Sequence, residues 1–88
     1  MATDLNAEFD KAAKDLRALT ERPSDAELLE LYGLYKQATA GNASGARPDA
    51  FDFKGRAKYD AWARHRGMSK KAAMQAYIAR VSKLRAEA

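Results

Sequence analysis

Four stretches of this sequence repeat apolar residues at three- and four-residue intervals, and a proline or a glycine stands in each gap between them. That pattern leaves room for amphipathic helices and for little else. No stretch shows the strict alternation of a half-buried strand. In the first, Leu5, Phe9, Ala12, Ala13 and Leu16 make one face, which predicts a helix from about Asp4 to Leu19. Thr3 or Asp4 is its expected cap, and Pro23 closes off the segment because it disfavours helical geometry in the residue before it.

The second helix has a sharp start. Ser24-Asp25-Ala26-Glu27 is a capping box: a hydroxyl to accept a free N–H, and a glutamate three residues on. Leu28, Leu31, Tyr32, Tyr35 and Ala38 follow at helical spacing, and Leu29 and Leu34 widen the stripe. A stripe this broad implies contact on more than one side. Gly33 sits mid-helix, where it costs about 1 kcal/mol relative to alanine.

Residues 41–48 are a loop by composition, expected to run on to Phe53, with Phe51 and Phe53 pinning its end to the core. A third helix is expected over 54–66, capped by Asp52 and stopped by Gly67. Ser69 caps a fourth, over 70–86, with Met74, Tyr77, Ile78, Val81 and Leu84 inside. Four such helices joined by one long connection make an all-α four-helix bundle. At 88 residues the expectation is a single domain over residues 1–88.

The chain has no cysteine, which removes thiolate metal sites and cysteine nucleophiles. Met1-Ala2-Thr3-Asp4-Leu5 lacks the basic start and apolar run of a leader, and no stretch approaches the roughly 18 apolar residues of a membrane span. The expectation is a soluble, cytoplasmic chain. Charge is uneven. Residues 1–46 hold five basic and eight acidic side chains, whereas residues 47–88 hold eleven and four. The second half therefore suits an anionic partner: nucleic acid, anionic lipid or a phosphorylated small molecule.

Catalytic groups are scarce. His65 is the only histidine and stands between Arg64 and Arg66, which disfavour its protonated form. It reads as a surface residue before it reads as a general base. There is no nucleophile elbow, phosphate-cradling glycine loop or metal cluster. What stands out is a mixture of aromatic and basic residues. Tyr32, Tyr35 and Lys36 share one face of the second helix, and Lys54 and Lys58 share one face of the third. With Arg17 and Tyr77 they are candidates to converge on phosphates and a stacked base. By periodicity alone the three tyrosines read first as core residues with hydrogen-bonded hydroxyls.

Residues 31–39, Leu-Tyr-Gly-Leu-Tyr-Lys-Gln-Ala-Thr, resemble the signature of the acyl-CoA-binding protein family. The likeness continues through Glu8–Ala13, Arg47-Pro48, Asp52–Trp62 and Gly67–Ile78, and so covers nearly the whole chain. The resemblance implies an up-down-down-up bundle that binds medium- to long-chain acyl-CoA esters, carries them inside the cell and turns nothing over. It implies that Tyr32, Lys36 and Lys58 hold the 3′-phosphate of the CoA ribose, that Tyr35 packs on the adenine, and that Tyr77 lines the cavity near the CoA moiety. Arg17 stands where the family usually has lysine, and Lys54 adds charge at the rim. Phe9, Ala12, Ala13, Leu28 and Leu29 are candidates for the acyl groove, with Tyr59 in the place of a usual tryptophan there.

The ligand is then long-chain acyl-CoA, with no cofactor and no metal. Acyl-CoA-using enzymes and membrane surfaces are expected as transient partners, the latter suggested by the basic Ala63–Arg66 segment. A monomer is expected, and no nucleic acid. Burial of the tail at about 0.8 kcal/mol per methylene gives on the order of 10 kcal/mol before ordering costs. The phosphates supply the other half of the selection.

Overall fold

The computed structural model describes residues 4–87. Four helices follow one another: α1 (Leu5–Arg17), α2 (Asp25–Ala40), α3 (Phe53–Ala63) and α4 (Lys70–Glu87). The described residues contain no strand. Their caps are those the sequence specifies. Asp4 accepts the Asn6 N–H at 3.0 Å, Ser24 Oγ the Glu27 N–H at 3.2 Å, Asp52 the Gly55 N–H at 2.9 Å, and Ser69 Oγ the Ala72 N–H at 3.0 Å. Each satisfies a donor that the first helical turn leaves free. Thr3, the other candidate cap of α1, lies outside the described residues.

Two helices end sooner than periodicity suggests. α1 stops at Arg17, and α3 stops at Ala63. Beyond Ala63 the chain tightens: His65 N–H donates to Trp62 O and Arg66 N–H to Ala63 O, at 3.1 and 3.2 Å, both three residues back. The turn finishes at Gly67, whose φ of 93° suits a residue without a Cβ.

The helices form an up-down-down-up bundle in which α2 packs on both α3 and α4, and α1 packs on α4. The backbones of α1 and α2 make no close approach, although they are neighbours in sequence. The Cα trace is 15 Å deep in its thinnest direction, the depth of two packed helix layers. The core is correspondingly small: Phe9, Ala12, Leu31, Leu34, Ala38, Ala73, Tyr77 and Val81. Gly33 is explained by the α2–α3 crossing, because a Cβ there would meet the carbonyl oxygen of Ala61 and lie 2.8 Å from its carbon.

Buried Gln37 ties the ends together, its Nε2 donating to Met68 O at 2.8 Å and to Asn42 Oδ1 at 2.9 Å. Asn42 Oδ1 also accepts the Gly67 N–H at 2.8 Å. The α2–α3 loop is braced by a bidentate Arg47–Asp60 pair, at 2.9 and 2.7 Å.

Phe51 and Phe53 do not pin this loop to the core: they are 87% and 78% exposed. The turn that carries them points them outward. His65 is likewise not a surface residue. Its side chain is 13% exposed, and Nε2 lies 3.2 Å from Glu30 Oε1. The tight turn after α3 brings the imidazole down onto Gly33 of α2, where no side chain stands in the way.

Candidate functional site

Because α1 and α2 stay apart, a hollow of about 270 Å³ opens between them over α4. Its walls are Ala13, Leu16 and Arg17 from α1, Leu28, Leu31, Tyr32 and Tyr35 from α2, and Tyr77 from α4. The helical phase explains the set. On α2, Leu28, Leu31, Tyr32 and Tyr35 are spaced three, one and three residues apart and share a stripe, and Ala13, Leu16 and Arg17 repeat the spacing on α1. Most of the lining is aliphatic or aromatic carbon, with Arg17 the one formal charge among the lining residues.

Three rings close one end. Phe9 stacks on Tyr35 with centroids 5.3 Å apart and meets Tyr77 edge-on at 5.0 Å, and Tyr35 lies 6.0 Å from Tyr77. Tyr35 is 41% exposed, so this cluster runs from the core to solvent. Burial holds the Tyr77 hydroxyl above its ordinary value of 10.0, the neighbouring Tyr35 adds to the rise, and Arg17 works against it. A tyrosine hydroxyl is protonated at neutral pH in any case, and the rise keeps Tyr77 a donor to higher pH.

Two lysines stand on aromatic faces of α2 and α3. Lys58 Nζ stands 5.4 Å from the centre of the Tyr32 ring, across the α2–α3 contact. Lys36 Nζ stands 4.8 Å above Trp62, whose own Nε1–H donates to Gly41 O at 2.7 Å. A cation over an aromatic face is held by the ring quadrupole without being neutralised. Neither lysine is in an ion pair among the described residues. Their charge remains available to an anion.

Arg17, Tyr32, Tyr35 and Tyr77 thus line one hollow. Lys58 adjoins it through Tyr32, whereas Lys36 sits over Trp62, outside the lining, and is tied to the hollow only by sharing α2 with Tyr32 and Tyr35. Lys54 is exposed one turn before Lys58, with no side-chain partner among the described residues. Of the groove candidates, Ala13 and Leu28 line the hollow. Phe9 and Ala12 are buried in the core, 4% and 6% exposed, and Phe9 reaches the hollow only through its contacts with Tyr35 and Tyr77. Leu29 faces a different depression, with Glu27, Glu30 and Arg80. Being next to Leu28, it points about 100° away around the helix. Tyr59 turns towards the loop: its hydroxyl donates to Gly45 O at 3.2 Å, and its ring meets Trp62 edge-on.

Three residues were missed by sequence reasoning. Leu16 and Leu31 belong to predicted apolar faces but line the hollow as well. Trp62 seats Lys36, a tertiary relationship between two helices that no spacing within either one signals.

The chain matches the model of the family described as Acyl CoA binding protein over residues 6–81. It is 53% identical over 81 residues to an acyl-CoA-binding protein homolog of Manduca sexta, covering 91% of this chain and 90% of that one. Its structure is similar to that of acyl-CoA-binding protein 2 of Oryza sativa, with a TM-score of 0.91, 43% identity, and 96% and 93% of the two chains covered. It is similar as well to the protein of the same type from Moniliophthora perniciosa, with a TM-score of 0.80, 34% identity, and 99% and 94% covered. By sequence and by fold, the chain belongs to the acyl-CoA-binding protein family, a family of binding proteins rather than enzymes.

Proposed function

We propose that the chain binds medium- to long-chain fatty acyl-CoA esters one to one, sequesters them and carries them between enzymes without chemical change. The observation that carries this is the pairing of an apolar hollow with unneutralised cations on α2 and α3. Leu16, Leu28, Leu31 and the tyrosine rings offer an alkyl chain a place out of water. Lys36 and Lys58 offer phosphates a pair of charges already oriented on aromatic faces. Neither part suffices alone. A tail without phosphates forgoes the cations, and CoA without a tail forgoes about 0.8 kcal/mol per buried methylene.

In this assignment Tyr32, Lys36 and Lys58 take the 3′-phosphate, Tyr35 stacks on the adenine, Tyr77 donates from the floor of the hollow, and Arg17 and Lys54 supplement the charge. The acyl chain lies along Ala13 and Leu28. The hollow contains no histidine, carboxylate or serine to attack a thioester. His65, the one histidine, belongs to a separate depression with Glu30, Met68 and Arg80.

The lack of cysteine allows a clean test. Mixed with palmitoyl-CoA and passed over a sizing column, the protein should carry adenine absorbance with it in equimolar amount. A thiol reagent added to the mixture should report no CoA release over hours. Absorbance that elutes apart from the protein refutes binding, and steady thiol release refutes a carrier without turnover.

A further inference from the structure

Phe51 and Phe53 are the most exposed large apolar side chains among the described residues, at 87% and 78%. They have no place in the hollow. Their backbone is nevertheless held by hydrogen bonds. Phe51 N–H donates to Asp49 Oδ1 at 2.9 Å, Asp52 N–H to Asp49 O at 2.9 Å, and Gly55 N–H to Asp52 Oδ1 at 2.9 Å. A fixed turn thus presents two bare rings to water, an arrangement with no benefit to folding.

Charge surrounds them. Lys54 follows Phe53 directly, and Lys58 lies one turn further along α3, both exposed. The acidic groups nearby are Asp49 and Asp52, whose carboxylates accept the backbone N–H groups of the turn, and Asp60, which is matched by Arg47. From Arg47 to Lys58 there are four basic and two acidic side chains, and from 47 to 88 there are eleven and four. By contrast, the basic Ala63–Arg66 segment has no exposed large apolar side chain, and His65 is turned inward.

We propose that the α2–α3 turn is a membrane-docking edge, at which Phe51 and Phe53 enter the interfacial layer of an anionic bilayer while Lys54 and its neighbours stay among the headgroups. Two rings bury about 300–500 Å² between them, well short of the roughly 800 Å² that each partner contributes to a stable protein interface. A bilayer needs no matching pocket, and it combines shallow apolar insertion with attraction of basic residues to anionic lipid. Docking requires no acyl-CoA and does not rest on the carrier function, although Lys54 and Lys58 serve both.

The test is co-sedimentation of the ligand-free chain with vesicles of phosphatidylcholine, and with vesicles that also contain phosphatidylserine, at low and high salt. Binding should favour the anionic vesicles and fall as salt rises. Combining Phe51→Ser with Phe53→Ser should weaken it on the order of tenfold or more, with helical circular dichroism unchanged because both side chains are exposed. Equal binding to neutral and anionic vesicles, or equal binding by the double variant, overturns the proposal. So does self-association in sedimentation equilibrium that the double variant abolishes, since the rings would then meet a second copy of the chain.

Discussion

Lys36 and Lys58 show how much a single neighbour decides. Each is a lysine on a helix, Lys36 half-buried and Lys58 exposed, and by type alone a lysine means a solvated charge. Each instead stands over an aromatic ring, Trp62 and Tyr32 respectively, and neither is spent on a carboxylate. Arg47 is the opposite case. Its guanidinium grips Asp60 through two hydrogen bonds and holds that carboxyl below its ordinary 3.8, chiefly by the hydrogen bond itself. A carboxyl lowered on folding contributes stability that is fully present above its unfolded pKa and is lost as pH falls through the folded one. The chain should therefore lose this contribution below about pH 4. An Arg47→Gln variant should melt slightly lower than the parent at pH 7, and the gap should shrink as pH falls below the ordinary 3.8 of the carboxyl, as followed by circular dichroism. A gap that stays constant down to the lowest pH would show that the pair does not act through its charge.

The elements were largely legible, and their ends were less so. Ser24 with Glu27, Asp52 and Ser69 announce helix starts because capping is local chemistry. The stops of α1 and α3 depend on how the chain must turn to reach its next partner, and both come early. The same limit applies to the site. Tyr32, Tyr35, Arg17 and Tyr77 point into the hollow at positions their helical phase foretells, whereas Trp62 under Lys36 and His65 against Glu30 are meetings of separate helices. Phe51 and Phe53 were misjudged because apolar character alone does not say which way a rigid turn faces. Gly33 is a penalty by propensity and a necessity by packing. Gly33→Ala gains helix propensity but drives a Cβ into the Ala61 backbone, which cannot move as a flexible side chain could. The net effect should be a loss of about 1–3 kcal/mol and a fall in Tm of several degrees, measured by thermal denaturation. An unchanged or higher Tm would mean that α2 and α3 do not cross as closely as they do here.

For the molecule as a whole, one structural fact leads to the rest: α1 and α2 are held apart by packing on a common partner, α4. A closed bundle of four short helices would bury more, but it would leave no hollow. The open arrangement leaves Tyr35 and Lys58 exposed and Leu28 and Lys36 half-buried, within reach of a ligand. Membership of the acyl-CoA-binding protein family fits that economy, since a bound ester would complete the apolar surface that the chain leaves open. The most direct measurement is a calorimetric titration with palmitoyl-CoA, with free CoA and palmitate as separate controls. Saturable one-to-one binding of the ester, with both controls weaker by at least about a hundredfold (roughly 3 kcal/mol), is the predicted result. An ester that binds no better than free CoA would contradict the account, because the hollow between α1 and α2 would then contribute nothing.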